Sequence, residues 1–93
     1  MLVRSFAKEL DHQRAGFAKM IGEEKVLRQL DNDAAFTDIV KTALGYGVKP
    51  SDLARSTKMS PATISRWASG QSAPHPLVRR AVVAEIQRLI EIL

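Results

Sequence analysis

Hydroxyl-bearing and basic side chains share one face of the segment from Pro61 to Ser69. The apolar residues Ile64 and Trp67 stand three positions apart, as residues on one side of an α-helix do, and they leave the other side facing outward. That outward side consists of Pro61, Ala62, Thr63, Ser65, Arg66 and Ser69. Hydroxyl and guanidinium groups on a slim helix suit hydrogen bonds to base edges and phosphate oxygens better than packing into a second core.

Two helix-start signals frame this segment. Pro50, followed by Ser51 and Asp52, predicts a helix starting at Pro50, because proline is pre-set for the first helical position and an acidic side chain complements the positive helix end. The pair Ser60-Pro61 predicts a second helix, with Gly70 as its stop. The corner at residues 58–60 is too short for two antiparallel helices and predicts two helices that cross at a steep angle.

The apolar residues of the two predicted helices fit this crossing. Leu53, Ala54 and Thr57 share a face of the first helix, and Met59 caps the corner. Trp67 lies on the same face as Ile64, so we predict that it packs in the core and does not stack on bases.

These residues resemble the Cro/repressor type of helix-turn-helix domain, a family that includes phage repressors, bacterial regulators and many antitoxins. The resemblance rests on Leu53-Ala54, the corner at residues 58–60, and the run from Thr63 to Trp67 closing at Gly70. More loosely, it extends from about Asp33 to Leu89. The family usually has glycine at the corner, where this chain has Lys58, and many members carry glutamate where it has Ala68. A left-handed lysine at the corner would cost about 1 kcal/mol relative to glycine.

The resemblance implies an all-α fold: a compact helix-turn-helix domain of about five helices. It also implies a sequence-specific regulator that binds double-stranded DNA, most simply a repressor acting as a homodimer on a palindromic operator. Base contacts are then expected from Pro61, Ala62, Thr63, Ser65 and Arg66, with Arg66 bidentate to a guanine. Phosphate contacts are expected from Lys49, Ser51, Arg55, Lys58, Ser60, Ser69 and Gln71.

The distribution of charge supports this expectation. The chain has a formal net charge of +4, yet the stretch from Val48 to Arg80 alone carries six basic residues and one acid. The basic residues are Lys49, Arg55, Lys58, Arg66, Arg79 and Arg80, and the acid is Asp52. A basic excess is often only a solvated surface, but its concentration on the predicted helix pair favours contact with an anionic polymer.

The remaining sequence predicts further helices. An amphipathic helix is expected from Val3 to Lys19, a break at Gly22, another helix from about Ala34 to Leu44, and a last helix from Pro76. The prolines in residues 71–76 predict a loop ahead of that last helix. We therefore divide the chain into a helical amino-terminal extension, residues 1–31, and the helix-turn-helix domain with a long carboxy-terminal helix, residues 32–93.

Apolar stripes at both ends of the chain predict a contact surface. The carboxy-terminal stripe is more hydrophobic than a domain-closing helix requires, and a monomer rarely leaves such a stripe in water. A dimer or partner contact is predicted at Phe6, Leu10, Phe17, Ile86, Leu89, Ile90 and Leu93. The alternative is that the amino-terminal helix of the same chain folds back and covers the carboxy-terminal stripe as additional core.

Other function classes find little support in the sequence. The chain has no cysteine, which excludes disulfides and thiolate metal sites and favours a cytosolic setting. His12 and His75 lack companions at ligand spacing, so no metal or other cofactor is predicted. Neither a phosphate-cradling loop nor a catalytic constellation occurs, which argues against an enzyme. No apolar run is long enough to span a bilayer, and we expect a soluble, cytoplasmic, nucleoid-associated protein.

Two other functions stay open. About thirty residues of amphipathic sequence precede the compact domain, more than DNA reading requires, so the chain could be an antitoxin-like or adaptor protein that binds a protein partner through its amino-terminal helices. A sequence-indifferent nucleoid protein is less favoured, because the overall charge is modest.

Overall fold

The computed structural model describes residues 2–93, with side chains from Phe6 onward. This part of the chain is helical and contains no strand. The helices are α1 (Leu2–Ile21), α2 (Glu24–Leu27), a 3-10 helix (Arg28–Asp31), α3 (Asp33–Gly45), α4 (Pro50–Thr57), α5 (Pro61–Ser69) and α6 (Pro76–Glu91). The predicted all-α class is thereby confirmed; the side chain of Val3, where the first apolar stripe begins, lies outside the described residues.

Capping side chains and prolines determine where the helices begin. Asn32 caps α3, since its Oδ1 accepts hydrogen bonds from the amides of Ala34 at 2.8 Å and Ala35 at 3.2 Å. Prolines open α4, α5 and α6, each at the position predicted from the sequence. His75 accepts a hydrogen bond from the amide of Leu77 at its Nδ1 (3.2 Å) and so caps α6.

A single hydrophobic core joins the amino-terminal extension to the rest of the chain. Four helices, α3 to α6, lie within residues 32–93, and the second half of α1 completes their core. The buried side chains include Phe17, Ala18 and Ile21 of α1 and Leu30 of the 3-10 helix, with Phe36, Ile39, Val40, Leu53, Ile64, Trp67, Val82, Val83, Ile86, Leu89 and Ile90. The side-chain amide of Gln87 also donates to the Ala18 carbonyl at 2.7 Å, which fixes α1 against α6.

This packing corrects the predicted contact surface at the two ends of the chain. Phe17, Ile86, Leu89 and Ile90 are buried in the core of their own chain, so they offer no surface to a second molecule. The physical reason is that α1 folds back along α6 and covers its apolar stripe. Only Phe6, Leu10 and Leu93 of the predicted contact residues remain exposed.

A buried arginine holds the loop before α6 to the other elements. Arg79 is 4 % exposed, and its Nε donates to the Pro74 carbonyl at 2.9 Å. Its Nη1 donates to the Leu30 carbonyl at 2.7 Å, and its Nη2 to the Asp33 carboxylate at 2.7 Å. The guanidinium also lies 5.6 Å from the centre of the Phe36 ring. One side chain therefore links the 3-10 helix, α3, the loop and α6.

We expect Arg79→Ala to lower the free energy of unfolding by about 3 kcal/mol, because the buried Leu30 carbonyl, the partly buried Pro74 carbonyl and the Asp33 carboxylate lose their donor. Urea unfolding followed by circular dichroism measures this loss. The matched control is Arg88→Ala, also on α6, which removes only an exposed pair with Glu85 and should cost less than about 0.5 kcal/mol. Equal losses in the two variants would contradict the anchoring role of Arg79.

Candidate nucleic-acid interface

A three-residue corner joins α4 to α5. Lys58 adopts the left-handed conformation, with φ 58° and ψ 38°, and is the only non-glycine residue in the described chain with a positive φ. The amide of Met59 donates to the Ala54 carbonyl at 2.8 Å and closes the last turn of α4. At this corner, a lysine therefore adopts the left-handed backbone conformation that glycine usually occupies.

Hydroxyl groups fix the start of α5. Ser60 caps the helix, since its Oγ accepts a hydrogen bond from the Thr63 amide at 3.1 Å. The hydroxyls of Ser60 and Thr63 lie 2.9 Å apart and share a second hydrogen bond. That bond uses one of their two hydroxyl hydrogens, so the pair keeps one donor for a base or a phosphate.

The inner face of α5 packs into the core as predicted. Ile64 and Trp67 are buried in the same core cluster as Leu53 and Ala54 of α4, and α5 packs against both α3 and α4. The Trp67 ring meets Phe36 edge to face, with ring centroids 5.7 Å apart. These contacts fix the rotation of α5 about its axis and confirm Trp67 as a packing residue.

The outer face of α5 brings most of the predicted base-contacting residues together at the surface. Pro61, Ala62, Ser65 and Arg66 are exposed, whereas Thr63 is half-buried. Arg66 makes neither a side-chain hydrogen bond nor an ion pair with any described residue. An arginine on a helix of otherwise small outward residues can offer all its guanidinium donors to a ligand.

The predicted phosphate-contacting residues lie at the ends of α4 and α5. Lys49 and Ser51 stand exposed at the start of α4, where no side chain caps the helix. Lys58 is exposed at the corner, and Gln71 is exposed just after α5. Arg55 is exposed as well, and it forms a loose pair with Asp52 at 3.8 Å, of the kind that a competing phosphate can replace at little cost.

One residue predicted to contact phosphate already uses its hydroxyl hydrogen inside the chain. The Ser69 hydroxyl donates to the Arg66 carbonyl at 3.1 Å, which engages its only hydrogen. The Ser60 oxygen accepts the cap hydrogen bond, and its hydroxyl hydrogen stays free for a phosphate when Thr63 donates within the pair. Ser69 is therefore less well placed to donate to a phosphate than Lys49 or Lys58.

The basic excess of the segment is smaller at the surface than the sequence indicates. Arg79 is buried against Asp33, and Arg80 pairs with Glu24 at 2.9 Å. The hydrogen bond from Arg80 lowers the pKa of the Glu24 carboxyl from its ordinary value. The basic side chains that remain around the helix pair are Lys49, Arg55, Lys58 and Arg66, against the single acid Asp52. They lie on α4, the corner and α5, so the remaining charge is concentrated on the candidate interface.

Comparisons with protein-family models, with curated proteins and with solved structures give no match to this chain. Within residues 2–93, no helix is both long enough and apolar enough to cross a membrane.

We expect Lys58→Gly to raise the free energy of unfolding by up to about 1 kcal/mol, because glycine adopts the left-handed conformation without steric cost. The control is Lys41→Gly, at an exposed position inside α3, which should lower it by about 1 kcal/mol. Denaturant unfolding of both variants checks the opposite signs. A loss of stability in Lys58→Gly would show that the lysine side chain contributes more than its backbone strain costs.

Proposed function

We propose that this protein is a sequence-specific, double-stranded DNA-binding regulator of the helix-turn-helix type. The observation that carries the proposal is the outer face of α5: small side chains surround Arg66, which has no partner among the described residues, on a helix whose rotation is fixed by buried Trp67. A rigid helix with one uncommitted guanidinium is suited to reading base edges.

The dimensions and chemistry of α5 suit the major groove. The groove is about 12 Å wide, close to the diameter of an α-helix with its side chains. Ala62 and Ser65 are small enough to let the α5 backbone approach the bases closely. Arg66 would then form two parallel hydrogen bonds to the O6 and N7 acceptors of a guanine, the commonest specific contact in this groove.

The flanking basic residues would fix the position of α5 on the duplex. Lys49 and the uncapped start of α4 can bind one phosphate, because a helix amino terminus attracts anions. Lys58 at the corner and Arg55 can bind others. Such contacts supply affinity that depends on salt and carries no sequence information.

One α5 helix offers few base contacts, so useful specificity requires two copies on a palindromic site. We propose a homodimer that acts as a repressor by occupying a promoter. A cytoplasmic, nucleoid-associated location is part of the same proposal.

The bound sequence is obtained first, by selecting duplexes from a random library with the wild-type protein. We then expect Arg66→Ala to lose about 1 to 3 kcal/mol of affinity for the selected duplex and to relax one base position in each half-site. Fluorescence anisotropy with selected and random duplexes measures the difference, and Arg88→Ala on α6 serves as the control for loss of an exposed arginine. Equal losses on both duplexes would refute base reading by Arg66.

Lys49→Ala should weaken binding to all duplexes alike and reduce the slope of log affinity against log salt by about one unit, since one phosphate contact is lost. Lys25→Ala on α2, far along the chain from the helix pair, is the matched control and should leave the slope unchanged. If the slope of Lys49→Ala equals that of the wild type, Lys49 does not contact phosphate.

A second candidate function is supported by the exposed apolar residues Phe6 and Leu10 on α1. They suit an adaptor or antitoxin-like protein that binds a partner protein through its amino-terminal helix. Titration of duplex DNA at several salt concentrations separates the two functions, because a chain that binds only a protein partner has no salt-dependent affinity for DNA.

A further inference from the structure

Five uncharged residues form a stripe along α1. They are Phe6, Leu10, Gln13, Gly16 and Met20, all exposed, and we call them the α1 stripe. Phe6 is 72 % exposed although its ring is large and apolar. The spacing of four, three, three and four residues keeps the five on one side of the helix. The part of the stripe before Arg14 lies on a stretch of α1 that the rest of the chain leaves exposed.

The second half of the stripe borders an apolar groove between α1 and α3. The groove has a volume of about 370 Å³, and most of its surface is apolar. Its lining residues are Gln13, Gly16, Phe17 and Met20 of α1 and, at the α3 side, Asp38, Ile39, Thr42 and Tyr46. The same helix therefore presents uncovered apolar side chains at one end and an uncovered apolar groove at the other.

Gly16 stands in the middle of α1 and borders this groove. A Cβ placed there would meet no atom within 4 Å, so the chain's own packing gives no reason for a glycine. Glycine is disfavoured inside a helix relative to alanine. No other described part of the chain fills the space beside Gly16, and the groove next to it is open. A side chain from a second molecule can therefore occupy that space.

The stripe is symmetric about Gln13. Leu10 and Gly16 each lie three positions from Gln13, and Phe6 and Met20 each lie seven positions from it. Two antiparallel copies related by a twofold axis at Gln13 would therefore place each Leu10 on Gly16 of the second copy and each Phe6 beside Met20 of the second copy. In a twofold contact, a residue of the first copy that touches a given residue of the second copy is matched by the reverse contact. The spacing about Gln13 satisfies this requirement.

We infer that the α1 stripe is the contact between two copies of this chain. Leu10 is the side chain that enters the space beside Gly16, and the two Gln13 amides face each other, each able to donate and to accept a hydrogen bond. This contact replaces the carboxy-terminal stripe as the dimer surface. If the proposed function holds, this contact also places two α5 helices at a fixed spacing for a palindromic site. The inference that two copies associate through the α1 stripe does not depend on that function.

Leu10→Glu and Gly16→Lys test the pairing, because both positions are exposed and a Cβ at Gly16 has no neighbour within 4 Å among the described residues. The wild type should sediment as a dimer in the micromolar range, and each variant alone should raise the dimer dissociation constant at least about tenfold, since a buried leucine contact is lost or blocked. Circular dichroism should show unchanged helix content. Leu77→Glu is the matched control: Leu77 is 87 % exposed, lies on α6 outside the stripe, and should leave association unchanged.

Mixing the two variants identifies the register. In a mixed pair, the glutamate introduced by Leu10→Glu in one copy meets the lysine introduced by Gly16→Lys in the other, and the second contact keeps the wild-type Leu10 and Gly16. Association should therefore return to within about tenfold of the wild type. A wild type that stays monomeric, a Leu10→Glu variant that dimerises as the wild type does, or a mixture that does not reassociate would each overturn the inference. A dimer that binds no DNA would overturn the proposed function alone.

Discussion

The relative positions of the helices depend on the hydrogen bonds and the ion pair that the buried guanidinium of Arg79 must form. Burying a charge is costly unless hydrogen bonds and an opposite charge replace its water. Arg79 meets this requirement only where the Leu30 and Pro74 carbonyls and the Asp33 carboxylate converge. The loop before α6 and the start of α3 therefore have one relative position in which the charge is stable. Because α1 packs along α6 and α5 packs on α3, that position also determines where the two outer helices lie.

The same arginine is connected to the candidate interface through aromatic rings. Arg79 lies over Phe36, and Phe36 meets Trp67 edge to face. Trp67 fixes which side of α5 faces outward. The exposed orientation of Arg66 therefore depends on contacts that reach back to the buried charge, and a rigid support of this kind is what a base-reading side chain requires. Arg79, Phe36 and Trp67, which hold the candidate interface in position, are all buried beneath it.

The sequence was sufficient to predict features whose causes are local. The starts of α4 and α5 follow from Pro50 and Ser60-Pro61, and the burial of Trp67 follows from helical spacing. What the sequence could not predict depends on distant contacts. An amphipathic stripe shows that Leu89 will be covered but does not show by what, and α1 of the same chain covers it. A basic residue is expected at the surface, and nothing near Arg79 in sequence reveals that Leu30 and Asp33 will surround it.

The division of α1 into two halves reconciles these results. Phe17, Ala18 and Ile21 complete the core, and the turns around Phe6 and Leu10 leave their apolar side chains exposed. A change that disrupts the core face and one that disrupts the exposed face must therefore have different consequences. A charge placed at Leu89 would enter the core and unfold the chain, so a change in association could not be assigned to the proposed dimer contact. A charge at Leu10 leaves the core intact, and only at such a position can association be separated from folding.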